Sequence, residues 1–175
     1  MTGRLDPRES WSAIDRCSIG KALDVLRNRS TFLLMREAFY GTTRFEDFAE
    51  RVGLSDPVTA ARLRELVDEG LLEREDYREP GKRTRQRYRL TEKGSDLLPT
   101  LVALMQWGDR HAAAPEGPPR VMVHTACGHD TEPVYACAHC GDPLEPSQVQ
   151  IRPGPGATPE MVAMGVLPRR RDTGG

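Results

Sequence analysis

The sequence predicts a mainly α-helical chain with one small β-hairpin, followed by a short cysteine-bearing module. Three observations carry that expectation. Apolar residues recur at helical spacing in several segments between Cys17 and Trp107. Two strand-like runs, Leu72 to Tyr77 and Arg85 to Leu90, flank the turn signal Pro80-Gly81. Three of the four cysteines fall after a linker rich in Ala, Pro and Gly at residues 112–119.

Each element has its own local reason. Ile19, Ala22, Leu23 and Leu26 repeat at helical period in the segment Cys17 to Leu26. Asn28-Arg29-Ser30 interrupts it, and Ser30 or Thr31 is expected to cap a second helix, Phe32 to Phe39, stopped by Gly41. A third helix fits Phe45 to Val52, with Phe45, Phe48, Ala49 and Val52 on one face and Gly53 after its end. Ser55 or Asp56 offers a cap oxygen for a fourth, and Pro57 suits its first turn, where a missing N–H costs nothing. On that helix Thr59, Leu63, Leu66 and Val67 share one face, with Pro57, Ala61, Arg64 and Glu65 opposite and Val58 and Arg62 between. After the hairpin, Thr91 caps a long amphipathic helix bearing Leu97, Leu98, Leu101, Leu104, Met105 and Trp107. Pro99 requires a late start or a kink there.

The expected organisation is a flexible arm at 1–15, a helical domain at 16–114, the cysteine module at 120–150 and a disordered Pro- and Gly-rich tail at 151–175. Net charge is −1, so the overall balance says nothing about polyanions. The distribution does. Arg78, Lys82, Arg83, Arg85, Arg87 and Arg89 face only Glu79 within the hairpin segment, and such local clustering is the footprint of phosphate binding. The polar N-terminus is no signal peptide, and no apolar run is long enough to span a bilayer, so a cytoplasmic protein without membrane contact is expected.

A helix followed at once by a basic hairpin is the layout of a winged helix-turn-helix, in which the helix enters the major groove of duplex DNA. The outward face beginning at Ser55, Pro57 and Val58 continues with Ala61, Arg62 and Arg64. The small residues permit close approach, and an arginine can fork onto a guanine edge or a phosphate. Arg44, Lys82, Arg83, Arg85 and Arg87 complete the candidate DNA-binding set. The hairpin members should add affinity more than sequence information. The plainer alternative is that Arg62 and Arg64 merely solvate the helix and pair with Glu65 or Asp68.

Cys17 to about Arg110 resembles the HxlR-type winged helix-turn-helix regulators of bacterial transcription. The matching residues are Cys17, Leu33-Leu34, Arg44-Phe45 with Phe48, Ser55 with Val58, Arg62-Leu63 and Glu65-Leu66. Gly70-Leu71, the turn at Pro80, Tyr88-Arg89-Leu90-Thr91-Glu92-Lys93-Gly94 and Trp107-Gly108 complete them. The resemblance implies a homodimer, joined by the N-terminal segment and the long helix after the wing, on a two-fold operator. The chain departs from the family at Asn28-Arg29-Ser30, where Gly-Lys-Trp is usual. It departs again at Asp56, Pro57 and Thr59, where Pro, Lys and Leu are common.

His124-Thr125-Ala126-Cys127-Gly128 and Cys137-Ala138-His139-Cys140-Gly141 share one shape: ligand, two residues, Cys, Gly. Two such turns supply one nitrogen and three sulfurs, which suits a closed, structural Zn²⁺ site. His129 is a reserve for His124. Strands at Val121–Val123 and Val134–Ala136 would make a minimal zinc ribbon. Free thiols, or a redox pair at Cys137 and Cys140, are the alternatives. The redox pair wants a helix N-terminus that Val134-Tyr135-Ala136 does not supply. A zinc deaminase lacks its His-x-Glu here. The resemblance also gives Cys17 as a possible redox sensor, so an oxidant or small molecule is a candidate effector; a small buried thiol is the bland alternative. No Ser-His-Asp set or glycine-rich phosphate loop is present, so no enzyme is expected. A protein-interaction adaptor, with the winged helix and ribbon as docking modules, is the competing class.

Overall fold

A computed structural model describes residues 17–78, 80–81, 83–149 and 154–156. The arm expected at 1–15, and the tail from 151 except residues 154–156, lie outside the described residues. Two compact units divide at Pro133/Val134: Ser18–Pro133 forms one, and the residues from Val134 onward belong to the other.

The larger unit begins with α1 (Ser18–Leu26), α2 (Arg29–Phe39), α3 (Phe45–Val52) and α4 (Asp56–Asp68). Strands β1 (Leu72–Tyr77) and β2 (Arg85–Leu90) follow, then α5 (Glu92–Ser95), α6 (Leu98–His111), β3 (Met122–His124) and β4 (His129–Thr131). Leu34, Met35, Phe48, Leu63, Leu66 and Leu72 are buried almost completely, and Leu26, Leu71 and Tyr88 join them in one core. Phe48 and Tyr88 meet edge to face, with ring centroids 6.0 Å apart, so the hairpin closes onto the helices through an aromatic contact.

Several boundaries depart from expectation. The cap of α2 is Asn28: its extended backbone lets the side-chain oxygen accept the Thr31 N–H at 3.2 Å, an early stop that neither Ser30 nor Thr31 provides. The side chain of Ser55, the cap residue of α4, makes no cap hydrogen bond; Pro57 in the first turn removes one donor instead. Thr91 does cap, accepting the Gly94 N–H at 3.0 Å, but only for the single turn of α5. The long helix starts late, at Leu98, with Pro99 in its first turn.

Thr91 also anchors the wing to the end of α4. Its hydroxyl donates to the Gly70 carbonyl at 2.7 Å. Gly94 packs so closely that a Cβ there would lie 2.1 Å from the Leu71 carbonyl oxygen. The Tyr-x-Leu-Thr-x-x-Gly stretch therefore has a physical content: a core tyrosine, a capping threonine and a glycine that admits a neighbouring backbone.

β1 and β2 pair antiparallel from Leu72↔Leu90 to Tyr77↔Arg85, the strands and turn the sequence predicts. The second small sheet differs. β3 pairs with β4 from Met122↔Thr131 to His124↔His129, whereas Val134–Ala136, expected as a strand, forms none. In the other unit Ala136 makes only an isolated bridge to Pro143. The turn at His124–Gly128 closes its own hairpin, so β3 pairs with the segment that follows it at once in the chain. Pro146–Gln148 forms a 3-10 turn.

Candidate nucleic-acid interface

Helix α4 buries Thr59, Leu63 and Leu66. This fixes its other face outward: Ser55, Pro57, Val58 and Arg64 are exposed, and Ala60, Ala61 and Arg62 are half-buried. Gly70, at φ +69°, breaks the helix, and the chain enters β1 two residues later.

The arginines fall into two groups. Arg62 is held by Glu65, with Nη1 2.7 and 2.8 Å from the carboxylate oxygens, so the plainer reading of this residue has a partner to point to. Arg64, two residues further along and outward, makes no ion pair among the described residues. In the hairpin, Arg83 and Arg85 are exposed near the turn and likewise unpaired among the described residues. Lys82 lies outside the described residues.

Arg87 is placed differently. Its Nε and Nη2 donate to Glu75 Oε2 and Oε1 at 2.9 and 2.8 Å, and Arg89 Nε donates to the same carboxylate. The hydrogen bond from Arg87, helped by Arg89 and by the charge of both guanidiniums, outweighs the opposing desolvation and holds the Glu75 carboxyl down to about 2. Arg44 sits immediately before α3, where its backbone bridges to that of Arg87. The guanidiniums of Arg44 and Arg87 lie 5.6 and 5.9 Å from the Tyr77 ring centroid. Sequence reasoning missed Glu75 and Tyr77. The signal was available: pairing the two six-residue strands end to end, Leu72 with Leu90 and Tyr77 with Arg85, puts Glu75 opposite Arg87.

In the larger unit, His124 Nδ1 lies 3.3 Å from Cys127 Sγ, and the N–H groups of Cys127 and Gly128 donate to the His124 carbonyl. Gly128, at φ +73°, lets the chain turn so tightly. His129 has its Nδ1 2.9 Å from the Cys127 carbonyl oxygen, a local contact that leaves His124 as the imidazole facing sulfur. In the other unit, Cys137 to Gly141 forms a second tight turn, with Gly141 at φ +77° donating to the Cys137 carbonyl at 2.9 Å. Backbone N–H groups of Cys140 and His139 point at Cys137 sulfur and lower its pKa. Among the described residues no three His, Cys, Asp or Glu side chains are gathered into one ligand set. Cys17 is exposed directly before α1. No helix among the described residues is long and apolar enough to cross a membrane.

Comparison with known proteins places this architecture. The sequence profile described as HxlR-like helix-turn-helix matches residues 25–116. The uncharacterized HTH-type transcriptional regulator Rv3095 of Mycobacterium tuberculosis is 43% identical over 139 residues, covering 79% of this chain and 87% of that protein. The crystal structure of PA1607, a candidate transcription factor, aligns with a TM-score of 0.70 at 33% identity, over 81% of this chain and 98% of its own. The redox regulator HypR in its oxidized form aligns with a TM-score of 0.51 at 26% identity, over 56% of this chain and the whole of that one. With α4 presented beside a basic hairpin and over half its length matched by one family, the chain belongs to the HxlR-like helix-turn-helix transcriptional regulators.

Proposed function

We propose that this regulator works as a cytoplasmic homodimer on a two-fold DNA operator, with α4 in the major groove. The carrying observation is the outward face of α4. Ala61 and Val58 allow close approach, and Arg64 there is not engaged by a carboxylate among the described residues. Ser55 and Pro57 at the start of α4, with Arg44 before α3, lie where phosphates flanking the groove would be met. Arg83 and Arg85, with Lys82, supply phosphate contacts from the hairpin. Arg62, already on Glu65, serves best as a support for that face. Dimerisation is supported by apolar side chains left in solvent: Ile19 and Leu23 on α1, and Leu104 and Trp107 on α6, are each more than half exposed. Two copies would set their half-sites about 34 Å apart.

The cofactor we propose is one structural Zn²⁺, held by His124, Cys127, Cys137 and Cys140. The support is the repeated spacing, the His124–Cys127 approach and the two glycine-closed turns. The metal would supply cross-linking, not chemistry on a substrate. Cys17 is the candidate site of an oxidant effector, a reading supported by the likeness to a protein described as a redox regulator.

Selection of genomic fragments by the purified full-length protein tests the DNA reading. The selected sites should be two-fold symmetric. Arg64→Ala should then lose about 1–3 kcal/mol on the selected site and little on random duplex. An equal loss on every sequence would show that Arg64 holds only phosphate, and failure to select any fragment would favour the adaptor alternative.

A further inference from the structure

The basic hairpin does not offer all its charge. Alternation along β2 turns Tyr88 into the core, so Arg85, Arg87 and Arg89 share the opposite face with Glu75 and Tyr77 of β1. On that face one carboxylate holds two guanidiniums. Arg87 uses its Nε and Nη2 in a fork of 2.9 and 2.8 Å, and Arg89 uses its Nε. Tyr77 backs the fork from one side. Near the turn, Arg83 and Arg85 carry no such partner among the described residues.

We propose that Glu75 is a specificity-determining residue for DNA binding: by holding Arg87 and Arg89 it confines the hairpin's phosphate-binding charge to the tip. This rests on the reading that the hairpin meets DNA. Each arginine that neutralises a phosphate adds affinity for every sequence alike and steepens the salt dependence. A regulator searching a genome gains from base contacts only relative to that uninformative background. A carboxylate that occupies two arginines of the wing lowers the background while leaving α4 untouched. Glu75 acts through Arg87 and Arg89 and touches no base itself, so it is a positioning residue.

The test uses the full-length protein and compares Glu75→Gln with wild type. Binding to the selected operator fragment and to a random duplex of equal length is followed by fluorescence anisotropy from about 50 to about 200 mM salt. Freed arginines should tighten random-duplex binding several-fold. They should also steepen the log–log salt slope by about 0.9 per arginine engaged, up to roughly two in all. The operator-to-random ratio should fall. Arg87→Gln alone should leave the wild-type slope unchanged, because that charge is already occupied. Added to Glu75→Gln, it should take back about one unit of the gain. An unchanged slope in Glu75→Gln, or weaker binding to both duplexes, overturns the proposal, the latter showing that Glu75 aims Arg87 at a phosphate. Should Glu75→Gln melt, Arg87→Gln decides alone: a shallower slope overturns the idea. Wild type that binds no duplex would overturn the DNA reading itself, a separate result.

Discussion

The helical region and the cysteine-bearing region are held by different physics. From α1 to α6 an apolar core closes around Leu34, Phe48, Leu63 and Leu66, each at most 1% exposed. From Val121 to Leu144 no described residue is buried, and only Met122 and Cys137 are half-covered. The first region folds because its helices must hide apolar stripes. The second has nothing comparable to hide. Its order rests on one short strand pair, an isolated backbone bridge, tight turns and, in our proposal, a metal that replaces a core. Sequence periodicity reports burial, so it speaks clearly for one region and faintly for the other.

The sharpest way to break the comparison is to damage the packed region where it has no slack. Gly94→Ala puts a methyl 2.1 Å from the Leu71 carbonyl oxygen, and that atom is backbone, not a side chain that can swing away. The wing would have to separate from the end of α4. The expected loss is about 3 kcal/mol, read as a fall in Tm on the order of 10–15 °C by circular dichroism. A change of less than ~2 °C would show that the Thr91–Gly70 junction is looser than its hydrogen bond indicates.

A second prediction addresses the exposed region. If zinc stands in for a core there, the purified protein carries one equivalent per chain. Removing it with a chelator, or substituting Cys140→Ser, should open 120–150 to proteolysis at least tenfold faster, on the order of 1.4 kcal/mol. The main helical melting transition should move little. Elemental analysis that finds no zinc, or a variant that cleaves at the wild-type rate, would remove the metal from the account.

How legible each region was follows from the same difference. The wing strands were readable to the residue, because Pro80-Gly81 sets the turn and Tyr88 sets which face is inward. The cap of α2 was not, since Asn28, Ser30 and Thr31 all carry cap-competent oxygens and only the backbone angles at Asn28 decide among them. In the cysteine region, the apolar run Val134–Ala136 reads as a strand, but those side chains have no surface to cover; Val134 and Tyr135 stay 75% and 61% exposed. For the candidate interface, the sequence marks the arginines but not their engagement. Arg64 and Arg87 look equivalent as letters, yet only the register of the hairpin assigns a carboxylate to one of them.

The smallest effect concerns Thr59, which joins the two themes on one helix. The side chain is completely buried on α4, and its hydroxyl has no hydrogen-bond partner among the described residues. A buried hydroxyl without a partner costs about 1–3 kcal/mol of desolvation. Valine keeps the β-branched shape and removes that cost. Thr59→Val should therefore raise stability by about 1 kcal/mol, a gain of several degrees in Tm. Because the residue faces the core while Arg64 faces outward, operator affinity should stay within about twofold, or ~0.4 kcal/mol. A stabilised variant that loses operator binding would mean that the packing of α4 sets the pose of its outer face, and that the two sides of the helix are not independent.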